Sequence, residues 1–293
     1  MSNQATFTID QSLTSSIPEL GRSPSPAEID SFRRTGVGVV RGLLSKDEVT
    51  RILDVYMSAV ADGPVDGVSE VRRKEGADES SDPLVRYPRM LHPHRSELPL
   101  GKFALRYMLD ERIWHILRAV TGEEPLAAQS MFYFKPPGAR GQGLHQDNRP
   151  LSVKPGTCIA AWIAMDKTDE ENGALAVVPG SGPLDTLCDV EHENRSDLFF
   201  NGGSLVLPEG IEPVAAEMEP GDTLFFNGQT IHGSWPNTTT DRWRRSLIFH
   251  YAPASCEEVN AFYHPLLGAD GSEVKRRVSP AGGICGAYNS GKS

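Results

Sequence analysis

Two short stretches of this 293-residue chain hold side chains that can bind a metal and work on a small molecule. In Gly143-Leu144-His145-Gln146-Asp147 an imidazole and a carboxylate stand two residues apart, and in an extended strand such residues point to one face. Gln229-Thr230-Ile231-His232-Gly233-Ser234 offers a second imidazole. Two neutral imidazoles and one carboxylate make a non-heme Fe(II) site with open coordination positions on one side. His-x-Asp alone is a common loop pair. The later residues give it weight.

Twelve residues past His232 stands Arg244, followed at i+2 by Ser246. A 2-oxo acid chelates iron through its carboxylate and keto oxygens and leaves a position for O2. Its far carboxylate needs a cation, for which a planar guanidinium with a hydroxyl beside it is suited. Ferrous iron, Asp147 and dianionic 2-oxoglutarate together carry one net negative charge, and Arg244 cancels it. Alternation with Ser246 and Ile248 turns Arg244 inward and Arg245 outward.

The elements that must position these groups fall into two halves. Residues 1–25, rich in Ser, Thr and Pro, read as a flexible arm, and residues 26–293 as a single domain. Ser25-Pro26 opens a helix, residues 36–40 read as a strand, and Ser45 with Glu48 forms a capping box ahead of Val49, Ile52, Leu53 and Tyr56. Residues 103–121 read as an amphipathic helix broken near Asp110. After it the chain is strand-like. Residues 126–135, 158–165, 174–178, 214–218, 223–226, 230–235 and 246–251 are apolar or alternating, and Asn172-Gly173 is a hairpin signal between the second and third. Many short antiparallel strands behind a helical segment predict a mainly β fold with flanking α, a jelly-roll barrel whose core spans about 123–253. Residues 63–100 and 181–212 lack periodicity and read as lid or loop segments over the site.

Composition narrows the class of partner. With 29 basic and 39 acidic residues the formal charge is -10, which argues against nucleic acid or an anionic membrane surface. Cys158, Cys188, Cys256 and Cys285 match no metal or redox spacing. No apolar run reaches membrane-spanning length, no secretory leader is visible, and the final Gly-Lys-Ser is no peroxisomal address. These features predict a cytoplasmic monomer or homodimer acting on a small molecule.

Several motifs in order carry a family resemblance. Lys135-Pro136-Pro137-Gly138, His145-Gln146-Asp147-Asn148, Asn172-Gly173-Ala174-Leu175, Val178-Pro179-Gly180-Ser181, His232-Gly233-Ser234 and Arg244-Arg245-Ser246 resemble the phytanoyl-CoA dioxygenase family over roughly residues 27–253. The resemblance implies a double-stranded β-helix of the cupin-like kind, with Fe(II), 2-oxoglutarate and O2 as cofactor and cosubstrates. Ascorbate is an optional reductant. By position His145, Asp147 and His232 match the metal ligands and Arg244, with Ser246, the cosubstrate site. Gln129 and Tyr133, on one face of the preceding strand, match places where relatives put cosubstrate hydrogen-bonding groups. The implied reaction is hydroxylation of an unactivated C–H bond in a small molecule, a secondary metabolite by preference, with release of succinate and CO2. The alternatives are desaturation, cyclisation or epimerisation on the same platform, or a metal- or ligand-binding jelly roll without catalysis. Asp147 is a carboxylate where halogenating relatives have Gly or Ala, which disfavours halogenation. Relatives commonly carry His after Pro-Gly-Ser, and here the residue is Gly182.

Other residues are weaker candidates. Arg86, Arg89, Asn148, Arg149 and Trp162 are placed to meet a substrate, although an exposed arginine or a core tryptophan is the commoner outcome. His92-Pro93-His94 lacks a third ligand nearby. His115 and His250 read as core or rim histidines, and His192 and His264 as loop residues.

Overall fold

Helix α1 (Pro26–Thr35) begins at a full capping box, with the Ser25 hydroxyl on the Glu28 N–H and the Glu28 carboxylate on the Ser25 N–H. It ends at Gly36, whose φ of 79° is left-handed. The structure is a computed structural model describing residues 8–70, 82–187 and 204–280. Strand β1 (Val37–Val40) leads to α2 (Lys46–Ala59), opened by the Ser45–Glu48 capping box. A short α3 (Pro83–Arg86) and β2 (Met90–Leu91) precede α4 (Pro99–Met108) and α5 (Glu111–Thr121). The break falls where expected, with Asp110 capping the second helix.

The remaining elements are β3 (Pro125–Lys135), β4 (Gln142–His145), α6 (Asn148–Leu151), β5 (Ile159–Ala164), β6 (Leu175–Val177) and β7 (Val214–Ala215). They continue with β8 (Thr223–Asn227), β9 (His232–Ser234), β10 (Arg244–Pro253), β11 (Glu258–Val259), β12 (Leu266–Leu267), β13 (Glu273–Val274) and β14 (Arg277–Val278). One sheet runs β1-β8-β5-β10-β3-β12-β13 with β2 added beside β3, and a smaller sheet runs β4-β9-β6-β7. Together they form the jelly roll, with every ladder in both sheets antiparallel.

The period of two in β10 divides its side chains between two cores. Leu247, Phe249 and Tyr251 face the helices, where they join Trp114, Ile116, Leu117 and Ile52. On this side Tyr56 stacks on Phe132 with centroids 4.0 Å apart. Each such ring contributes about 1.5–3 kcal/mol by leaving water. Ile248, on the opposite face, joins Trp162, Met131, Val177 and Leu224. The site-bearing residues Arg244, Ser246 and His250 share the face of Ile248.

Three expectations change. Residues 8–25 are no loose arm: Ile9 and Leu20 are buried, and the Leu20 N–H donates to the Val39 carbonyl at 2.8 Å. Asn172-Gly173 is a turn but not a hairpin, because β5 pairs with β8 and β10 while β6 pairs with β7 and β9. The Asn172 amide donates to the Lys167 and Trp243 carbonyls, which fixes a crossing from one sheet to the other. The described part of 63–100 is largely built into the fold, with β2 on the sheet edge beside β3. Residues 71–81 and 188–203 of the two expected lids lie outside the described residues.

Candidate active site

His145 ends β4 and His232 begins β9, and the two are direct partners across the ladder, with ring centroids 4.3 Å apart. Asp147 reaches them differently from the strand alternation expected. The strand stops at His145, and Asp147, with helical φ and ψ, is the N-cap of α6. Its carboxylate swings back into the cleft, with Oδ1 3.5 Å from His145 Nε2 and Oδ2 3.5 Å from His232 Nε2. One donor atom from each of the three lies within 4.8 Å of the others, and among the described residues this is the group of this kind that could hold an ion.

Both rings are held from behind. The Nδ1 of His145 is 2.9 Å from the Gly143 carbonyl, and that of His232 is 2.9 Å from the Thr230 carbonyl. A carbonyl only accepts, so each Nδ1 carries the proton and each Nε2 turns a lone pair to the centre. Burial pulls the His232 imidazole down to about 4, against the pull of Asp147 in the other direction. Burial acts to raise Asp147, but the neighbouring His232, His250 and His145 imidazoles outweigh it. The carboxyl is held well below its ordinary range. At neutral pH His232 and Asp147 therefore offer a neutral imidazole and an ionised carboxylate, the forms a divalent metal binds.

Arg244 and Ser246 lie deeper along β10, both buried. The Arg244 Nε donates to the Gly173 carbonyl at 2.9 Å, Nη1 to the Ser246 hydroxyl at 3.2 Å, and the guanidinium carbon stands 5.5 Å from the Trp162 ring centroid. Burial lowers this guanidinium to about 10, so it remains a cation. Among the described residues it has no carboxylate partner. A buried cation in that state is costly unless an anion joins it, which fits the distal carboxylate of a keto acid. Arg245, by contrast, is spent on Asp166 through contacts of 2.9 and 2.7 Å on the outer face.

A pocket partly open to solvent adjoins Arg244, and its walls include Tyr87, Arg89, Tyr133, Lys135 and Gln142. Arg89 pairs with Glu70 and donates to the Tyr133 hydroxyl. Lys135, to which the sequence reading gave no role, is buried directly across the ladder from Arg244. Its ammonium donates to the Ser234 hydroxyl at 2.8 Å and to the Trp235 carbonyl, while burial and Arg244 push the amine well down. Its parity with Tyr133 along β3 was the available signal.

Other candidates separate. Trp162 floors the site under Arg244. Arg86 lies outside the site, donating to the Val60 and Ala61 carbonyls at 2.8 Å near the end of α2. Asn148 is a structural clamp, donating to the Val153 carbonyl and accepting from the Cys158 N–H. Arg149 sits half-buried on α6, one residue past Asn148. Gln129 is opposite His250, six residues from Lys135, at the other end of the face from Tyr133 and Arg244. His250, read as core or rim, touches the triad: its Nε2 is 3.0 Å from Asp147 Oδ2. Its even spacing from Arg244, Ser246 and Ile248 was the overlooked sign.

The family model for phytanoyl-CoA dioxygenase (PhyH) matches residues 32–246. The chain is 32% identical over 162 residues to the peroxisomal phytanoyl-CoA dioxygenase of Bos taurus, covering 53% of this chain and 48% of that protein. It is 27% identical over 256 residues to the multifunctional dioxygenase prhA of Penicillium brasilianum, covering 84% and 79%. The chain spans about half the length of the phytanoyl-CoA dioxygenases it matches. Among solved structures, the epimerase SnoN in complex with Fe3+, alpha ketoglutarate and nogalamycin RO superimposes with a TM-score of 0.60. The identity is 21%, over 80% of this chain and 86% of that one, a likeness that bears on the fold alone. Among the described residues no helix is long and apolar enough to cross a membrane.

Proposed function

The chain belongs to the phytanoyl-CoA dioxygenase family, and from that premise we propose that it is an Fe(II)- and 2-oxoglutarate-dependent dioxygenase acting on a small organic molecule. The observation that carries this reading is the pairing of a His145–Asp147–His232 cluster with a buried Arg244 that has no carboxylate partner among the described residues. When bound, iron and 2-oxoglutarate supply the oxidising chemistry: O2 is consumed, the keto acid leaves as succinate and CO2, and a substrate C–H bond gains a hydroxyl.

The protein's own part is positional. His145 and His232 present lone pairs from a two-strand ladder, and Asp147 closes the third corner from α6. Arg244 and Ser246 receive the distal carboxylate over Trp162, with Tyr133 and Lys135 along the same wall. His250 holds one oxygen of Asp147, so the carboxylate meets the metal in a fixed direction. The buried, unpaired Cys158 and Cys256 accord with a reducing compartment, and we assign the protein to the cytoplasm.

The experiment is succinate release with O2 uptake by purified protein given Fe(II), 2-oxoglutarate and fractionated metabolite pools. At least one fraction should stimulate both in equal amounts, and mass spectrometry should find one added oxygen in the product. A protein that binds 2-oxoglutarate but releases no succinate with any fraction is a binding module instead. A product lacking the extra oxygen assigns desaturation, cyclisation or epimerisation to the same site.

A further inference from the structure

The strand pair that carries the site has a second pole, away from Arg244. Along β3 and β10, Lys135 and Arg244 mark one end, and Gln129 and His250 face each other six residues away. That is about 20 Å of extended strand. At this far end two side chains, each more than nine-tenths buried, hold buried polar atoms without partners among the described residues. They are both ring nitrogens of His92 and Nδ1 of His250, with the buried Gln129 opposite His250 and the buried Tyr263 against His92. Folded proteins leave few such atoms, since each costs free energy to strip of water. Three such nitrogens beside a metal triad call for a ligand.

Two further observations agree. His92 takes φ of 50°, a strained conformation for a residue with a side chain. It is kept there by its N–H on the Ser130 carbonyl and by the Phe262 and Tyr263 rings, at 4.7 and 6.0 Å. The pole also connects to the triad, because His250 Nε2 meets Asp147 and Tyr263 lies within electrostatic reach of the same carboxylate.

We propose that Gln129, His92, His250 and Tyr263 form the substrate subsite, and that it takes the uncharged, hydrogen-bonding end of an organic molecule, a hydroxyl, amide or lactam. The assignment rests on the oxygenase reading of the triad. The charge class follows from the lining. Burial keeps the His92 ring neutral, Arg89 is engaged with Glu70, and Arg95, the nearest cation on that turn, is exposed. Arg95 and Arg89 act on His92 and Tyr263 from a distance, while the anion Asp147 is in hydrogen-bond contact with His250. Among the described residues a carboxylate or phosphate would find no inward cation lacking a carboxylate of its own, since Arg89 is matched by Glu70, in contrast to the Arg244 end.

Gln129→Met and His92→Asn test this, asparagine being tolerant of the left-handed conformation. Three readouts are compared with wild type: the thermal midpoint without ligands, anaerobic 2-oxoglutarate affinity with Fe(II), and stimulated succinate release. The compounds are neutral polyols, amides and lactams beside carboxylic acids and acyl-CoA thioesters. The midpoint should hold or rise and the 2-oxoglutarate affinity stay within about twofold, while stimulation by neutral compounds falls by about tenfold or more. A lower midpoint in both variants makes the cluster structural, and weaker 2-oxoglutarate binding returns these residues to the cosubstrate. Stimulation of wild type by acids or thioesters alone, or by none of the compounds, also overturns the proposal. Failure of the oxygenase reading is distinct: wild type itself would then bind no 2-oxoglutarate.

Discussion

Replacing Arg244 by alanine removes a buried guanidinium that, among the described residues, has no carboxylate of its own. In the cosubstrate complex the distal carboxylate would then be buried against Ser246 and Trp162 with its main counter-charge gone. Breaking a buried ion pair from one side costs about 3–5 kcal/mol. At about 1.4 kcal/mol per tenfold this is a loss of between two and four orders of magnitude in 2-oxoglutarate affinity. Lys135 stays behind across the ladder, so the lower end of that range is expected. The assay is an anaerobic titration of the Fe(II) protein with 2-oxoglutarate, followed in the visible region. Arg245→Ala is the matched control, since its half-buried pair with Asp166 lies on the outer face and is worth about 1 kcal/mol or less. An Arg244→Ala affinity within about threefold of wild type, or an equal loss in Arg245→Ala, refutes the assignment.

Three more outcomes follow from the geometry. His250→Leu removes the hydrogen bond to Asp147 and should weaken metal binding by about ten- to a hundredfold in an equilibrium competition assay, with partial recovery in His250→Gln. Burial lowers His92, His94 and His232 from 6.5 to about 2, 3 and 4, so the unfolded chain takes up protons that the folded one refuses. Stability is therefore lost as pH falls from 6.5 towards 4, and the thermal midpoint of the metal-free protein should drop across that window and be flat above it. Gly182→His restores the residue common in relatives, yet a Cβ there would lie 2.3 Å from the Gly36 Cα. Denaturant titration should show a loss of about 1–3 kcal/mol.

Where local chemistry dominates, the sequence was a sufficient guide. The capping boxes at Ser25 and Ser45 and the helix break at Asp110 follow from side chains hydrogen-bonding nearby backbone. The inward turn of Arg244 follows from strand alternation. What the sequence hid depends on contacts between distant segments. Asn172-Gly173 has hairpin chemistry, but whether the following strand pairs with its predecessor or crosses to the other sheet is decided by Trp243 and Lys167, which accept from the Asn172 amide. Burial of the N-terminal segment depends on Ile9 and Leu20 finding apolar surface on the far side of the chain. His250 and Lys135 were within reach of the same parity argument that placed Arg244, and were passed over because neither stands in a ligand-like spacing. Gly182 is explained by the close approach of the Gly36 backbone, which no local pattern reveals.

The central claim is that His145, Asp147 and His232 close on one ferrous ion. Its most direct test is an anaerobic titration of the metal-free protein with Fe(II) at saturating 2-oxoglutarate, read as the weak visible charge-transfer absorption of the chelate. Wild type should reach a plateau at one iron per chain, and Asp147→Ala and His232→Ala should show no saturable band. A wild-type protein without the band, or variants that titrate as wild type does, would contradict the account.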